Sequence, residues 1–84
     1  MDTSTLGSRG PDVKYAQSLL TKLGYNPEYI DGVFRQQTKQ AIIAFQRKYL
    51  LIPDGIVGPV AWRVLENFLR EYDIYIIKSV DTKA

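Results

Sequence analysis

Apolar residues recur at Val13, Ala16, Leu20 and Leu23, three or four positions apart, which is one stripe of an amphipathic helix. Pro11 stands where a helix begins, because its missing N–H would be an orphan donor there anyway, and Gly24 supplies the stop. The pattern predicts a first helix over residues 11–23. A second stripe, Ala41, Ile42, Phe45 and Tyr49, predicts a helix from Gln36 to Tyr49, with Gln36, Gln37, Lys39, Gln40, Arg47 and Lys48 facing mostly outward. The stretch LIPDGIVGP then breaks the periodicity with two Pro and two Gly. Pro59 opens a third helix that runs to about Tyr72 and buries Ala61, Trp62, Leu65, Phe68 and Leu69.

The ends differ in kind. Residues 1–10 are polar and Gly-bearing and read as a flexible N-terminal arm before a helical domain at 11–72. Residues 73–84 form a tail, in which Ile74 to Ile77 is β-branched and aromatic enough to read as a short strand. The fold class is therefore all-α: a small three-helix bundle with a short extended C-terminal tail.

Within that bundle the chain repeats itself. Val13 is followed four residues later by Gln17, and Ile42 four residues later by Gln46; each glutamine precedes an apolar residue, Leu20 or Tyr49, by three. Each helix then leads to Asp-Gly-apolar-apolar, at Asp31-Gly32 and Asp54-Gly55, and on to the next helix. The units span roughly residues 13–34 and 42–57, two similar helix–loop halves that differ mainly in the loop before Asp-Gly. Gly32 and Gly55 can take positive φ without a Cβ clash. Asp31 and Asp54 can accept hydrogen bonds from nearby backbone N–H groups and hold the turn. Val33 or Ile56, and Phe34 or Val57, then turn apolar side chains toward the core. Gln17 and Gln46 are placed to satisfy loop backbone groups. A scaffolding role for these Asp and Gly residues competes with a ligand-binding one.

Composition narrows the chemistry. The 84 residues contain no Cys and no His, so Ser-His and Cys-His nucleophilic pairs and the usual zinc sites are excluded, and no metal or other cofactor is expected. A chain this short buries only about 60% of the surface its unfolded form exposes, so six Tyr, three Phe and one Trp must supply much of the core. No apolar run approaches the ~20 residues of a membrane span, and MDTSTLGSRG lacks the regions of an export signal. Net charge is +2, mild for a nucleic-acid binder. The basic residues also scatter over Lys14, Lys22, Lys39, Arg47, Lys48, Arg63 and Arg70 rather than lining one recognition helix. Neither Asp-Gly sits in the D-x-[DN]-x-[DN]-G pattern of a calcium loop.

GSRGPDVKYAQSLLTKLGY, DGVFRQQTKQAIIAFQRKY and L-x-x-DGIVGPVAWRVL together resemble the peptidoglycan-binding module of bacterial wall hydrolases and spore proteins, over residues 6 to about 66. The resemblance implies a three-helix bundle with two similar halves that binds peptidoglycan without catalysis. It implies a larger parent, often with a catalytic domain, acting outside the cytoplasm at the wall or spore. Three positions depart from the family pattern: Ala16 stands in place of Leu, Arg35 in place of Gly after Phe34, and Ala61 in place of Thr before Trp62, while Thr38 keeps the hydroxyl in the first copy. The tail YIIKSVDTKA resembles, over about eight residues, the opening strand of a lysin motif, with Val80 at a Gly position. That implies a longer chain of glycan-binding modules.

Peptidoglycan offers sugar rings with apolar faces and stem peptides rich in carboxylates, so a binder wants aromatic faces, cations and loop donors. Tyr25 and Tyr29 flank Pro27 in the first loop, with Arg9 and Arg35 close by in sequence. The candidate ligand residues are Arg9, Tyr25, Tyr29, Asp31, Gly32, Phe34, Arg35, Asp54, Gly55 and Trp62, with the first loop the better place to look. Competing roles are core packing for Tyr25 and Trp62, and ordinary solvated side chains for Tyr29 and Arg35. Nine acidic residues leave a glycosidase-like acid pair formally open. Asp31 and Asp54 occupy turn positions, however, and so small a bundle hardly encloses a cleft, so no enzyme activity is expected. The chain is expected to act as a monomer with peptidoglycan as partner, without nucleic acid or membrane. The alternatives are a structural or protein-interaction helical module, or a DNA-binding helical domain.

Overall fold

The computed structural model describes residues 2–68 of the chain. Helices α1 (Pro11–Lys22) and α2 (Gln36–Lys48) are followed by α3, helical at residues 59–68. Among the described residues there are three helices and no strand beyond two isolated bridges, so the domain is the all-α bundle that the periodicity predicts. The strand expected at Ile74 to Ile77, the lysin-motif resemblance and the burial of Leu69 all fall outside the described residues.

Local chemistry sets the helix ends. α1 starts on Pro11 with Asp12 in its first turn and Lys22 in its last, each charge opposite in sign to the helix-dipole end it occupies. It stops in a Schellman motif: Tyr25 N–H donates to the Leu20 carbonyl at 2.8 Å and Gly24 N–H to Thr21 at 3.1 Å. α2 ends the same way, with Leu51 N–H on the Gln46 carbonyl at 2.8 Å. The residue that turns that corner is Leu50, at φ 59, a left-handed conformation that glycine usually supplies.

The three stripes meet in one core of Val13, Ala16, Leu20, Ile42, Phe45 and Leu65, joined by Leu19, which the first stripe omits. Aromatic contacts extend it. The Tyr15 ring stacks on Trp62 at 6.0 Å between centroids, and Tyr25 meets Phe45 edge-on at 6.1 Å. In each loop only the second apolar residue is fully buried. Phe34 and Val57 are in the core, whereas Val33 is half-buried and Ile56 is exposed. The loop backbone there is extended, so successive side chains point to opposite sides and only one of the pair can face inward.

Residues 2–10, read from composition as a flexible arm, are bonded onto both Asp-Gly loops. Ser4 and Val57 exchange backbone hydrogen bonds at 3.1 and 2.8 Å, pinning the segment to the second loop. Gly7 N–H donates to Phe34, Phe34 N–H to Ser8, and Gly10 N–H to Gly32, fastening it to the first. Trp62 Nε1–H then donates to the Asp2 carbonyl at 3.0 Å, across sixty positions of sequence. A segment with no apolar pattern is ordered here through its backbone, because the loop edges present unpaired N–H and C=O groups that need partners.

Candidate functional site

Two glutamines organise the two loops. Gln17 is fully buried on α1, and its Oε1 accepts from the N–H groups of Asp31 (3.1 Å) and Gly32 (2.9 Å). Its Nε2 donates to the Val33 carbonyl (3.0 Å) and to Thr38 Oγ1 (3.1 Å). Gln46 repeats the arrangement from α2: Oε1 accepts from Gly55 N–H at 3.0 Å and Nε2 donates to the Ile56 carbonyl at 3.0 Å. Each loop is closed further by an Asx turn, with Val33 N–H on Asp31 Oδ1 and Ile56 N–H on Asp54 Oδ1, both at 3.0 Å. These backbone N–H bonds are the first cause holding both carboxyls below their ordinary range; Arg35 adds to the effect at Asp31, and Gln46 at Asp54.

The copies then diverge at two aligned positions. Four residues after the aspartate stands Arg35 in the first loop and Gly58 in the second; seven after stands Thr38 or Ala61. Arg35 Nη1 binds Asp31 Oδ2, and its guanidinium lies 5.1 Å from the centre of the Tyr29 ring. The first loop therefore satisfies its own carboxylate and covers one face of its exposed tyrosine. In the second loop no arginine is present, and no threonine meets the glutamine. Gln46 Nε2 turns to Asp54 Oδ1 instead, at 3.0 Å. Asp54 Oδ2 accepts no hydrogen bond and Asp54 makes no ion pair among the described residues.

Beside Asp54 the surface opens into a groove of about 380 Å³ between the end of α2 and the start of α3. Leu50, Leu51, Ile52, Ile56, Pro59 and Val60 form its walls, with Ala61, Gln46 and Asp54 also lining it. Leu50 and Ile52 are 93% and 79% exposed, far beyond what a core role would leave. Among the described residues, no group of three acidic, His or Cys side chains is placed to hold a metal.

The ten residues singled out from sequence do not form one cluster. Phe34 and Trp62 are buried in the core, Tyr25 packs on Phe45, and Gly32 and Gly55 are buried turn residues. Tyr29, Asp31 and Arg35 do meet, on the exposed face of the first loop. Arg9 bridges Val33 through its backbone and borders a separate hollow with Ser8 and Asp12. Asp54 is the one that borders the apolar groove. The groove's aliphatic residues lie in and beside LIPDGIVGP, which reads from sequence as a breaker; their signal is four large aliphatics, Leu50, Leu51, Ile52 and Ile56, crowded around a turn.

With this geometry in view, comparison with known sequences is decisive: residues 9–65 match the family of peptidoglycan binding domains. The chain belongs to the peptidoglycan-binding domain family. The module is 43% identical over 56 residues to an N-acetylmuramoyl-L-alanine amidase of Mycobacterium tuberculosis, and 36% identical over 69 residues to a spore cortex-lytic enzyme of Halalkalibacterium halodurans. Those alignments cover 67% and 79% of this chain but only 14% and 21% of the two enzymes. Among solved structures, the N-terminal domain of SleB superposes with a TM-score of 0.76 at 33% identity, covering 79% of this chain and 90% of that one. A peptidoglycan-binding protein of Clostridioides difficile, solved with glutamine hydroxamate, gives 0.74 at 45% identity, over 76% of this chain and 40% of that one. The peptidoglycan-binding domain is thus a module found within larger wall-active proteins.

Proposed function

We propose that this domain binds bacterial cell-wall peptidoglycan without catalysis and holds a larger wall- or spore-associated protein on its substrate. Family membership over residues 9–65 carries the reading. Its relatives include an amidase and a spore cortex-lytic enzyme that extend far beyond the matched region, which supports a hydrolase as the parent and the wall or spore as the location. Both loop carboxylates are engaged by backbone N–H groups as turn formers, and this supports a binding role over an acid–base one. One copy binds weakly as a monomer, and avidity from neighbouring modules supplies residence on the wall.

Co-sedimentation with purified sacculi tests the proposal. Enrichment in the pellet at low ionic strength, with no release of soluble muropeptides, is the expected result. Absence of enrichment, or hydrolysis by the isolated domain, refutes it.

A further inference from the structure

We propose that the groove beside the second Asp-Gly loop receives an aliphatic side chain ending in an ammonium group, the chemistry of the diamino acid in a wall stem peptide. This rests on the peptidoglycan-binding reading above and assigns the component recognised. The divergence of the two loops is the first ground. Arg35 fills the place in the first loop that Gly58 leaves open in the second, and Ala61 removes the hydroxyl that Thr38 retains. The groove exists where both positions are small.

Its chemistry selects the occupant. Among the described residues the walls are aliphatic and include no aromatic side chain, so they offer no stacking face of the kind a pyranose ring prefers. Among the described residues the one charged side chain in the lining is Asp54, kept ionised by the Ile56 N–H and Gln46, with Oδ2 unengaged. A stem-peptide carboxylate would meet like charge there. An ammonium on a methylene chain would meet a carboxylate, and its stem would lie along Leu50, Ile52 and Val60. The start of α3 forms part of the groove and contributes only a fraction of a positive charge. Its first-turn N–H groups suit a peptide carbonyl oxygen instead.

Leu50 supplies a second, independent observation. It is a large apolar side chain, almost fully exposed, held in the left-handed conformation at the rim of the groove. Stability alone would place Gly or Asn there; contact with a ligand's aliphatic chain accounts for leucine.

The experiment compares retention on native sacculi with retention on sacculi whose free amines have been acetylated by acetic anhydride. Acetylation is expected to weaken binding about five-fold, the scale of one half-exposed charge pair. Asp54→Asn keeps the Oδ1 acceptor of the turn; it should bind native sacculi about five-fold less and no longer respond to acetylation. Val60→Lys, at an exposed position on the rim, should weaken native binding similarly. An L-Ala-γ-D-Glu-L-Lys tripeptide should compete, and its Nε-acetyl form should compete about five-fold less. Equal retention before and after acetylation, with binding to native sacculi intact, overturns this proposal and leaves peptidoglycan binding standing. Sensitivity to acetylation without competition by the tripeptide points to amines of deacetylated sugars and also overturns it. Failure to bind native sacculi removes both readings.

Discussion

Replacing Gln17 by leucine tests the idea that one buried amide holds the first loop in shape. Leucine fits the volume but removes four hydrogen bonds, to Asp31 N–H, Gly32 N–H, the Val33 carbonyl and Thr38 Oγ1. The Gly32 N–H is buried, and leaving such a donor unsatisfied costs about 1–3 kcal/mol. The Asp31 N–H and Val33 carbonyl are partly exposed and recover some water, so each adds about 0.5–1 kcal/mol, while the Thr38 hydroxyl can rotate. The loss comes to about 3–4 kcal/mol, against a total stability on the order of 5 kcal/mol for a domain of this size. Trp62, the single tryptophan, is buried and stacked on Tyr15, so its fluorescence reports unfolding in urea directly. At a slope of about 1 kcal/mol per molar urea, the midpoint should fall by about 3 M. Gln17→Glu adds a pH signature. Burial beside the Val33 carbonyl raises the folded pKa of the new carboxyl above its unfolded value of about 4.3. The variant is therefore least stable at neutral pH and regains stability as pH falls from 7 toward 5. A loss below about 1 kcal/mol for the leucine variant, or no pH dependence for the glutamate one, would refute the clamp.

Three further outcomes are expected. Gly32→Ala should cost about 1–2 kcal/mol in the same urea assay, because φ is +81 and a Cβ would sit 3.0 Å from the Gly10 carbonyl oxygen. Leu50→Asn should leave the thermal midpoint unchanged or raise it by a few degrees, relieving about 1 kcal/mol of left-handed strain, while lowering retention on sacculi; a falling midpoint with unchanged retention contradicts it. Both loop aspartates have folded pKa values below 3.8, so their contribution is present above that value and lost as pH falls through the folded ones. Chemical denaturation should accordingly show a midpoint that declines below about pH 4, less so in the Asp31→Asn, Asp54→Asn double variant.

Much of this fold was legible because its dominant signals are local. The helix starts at Pro11 and Pro59 and the stripes through Phe45 and Leu65 follow from periodicity and Pro chemistry, and the duplicated Gln and Asp-Gly spacing disclosed the two halves. The predicted placement of Gln17 and Gln46 against loop backbone corresponds to the bonds they make. The N-terminal segment was opaque because backbone pairing leaves no trace in side-chain polarity. The mutual satisfaction of Tyr29, Arg35 and Asp31 was opaque too, since sequence shows which groups are near but not which consume one another. The groove depends on two small residues, Gly58 and Ala61, whose meaning emerges only beside Arg35 and Thr38 in the aligned copy.

The stitching of residues 2–10 onto both loops gives the domain a mechanical character. Tension applied at its N-terminus meets the Asp2 bonds to Asp12 and Trp62, then the Ser4–Val57 pair, then the Gly7, Ser8 and Gly10 contacts with the first loop, and each must peel in turn. A tether loaded from that end yields in small steps and lengthens by a few residues at a time. The helical core, and the groove between α2 and α3, would still be whole when the seam had already opened past its first stitches.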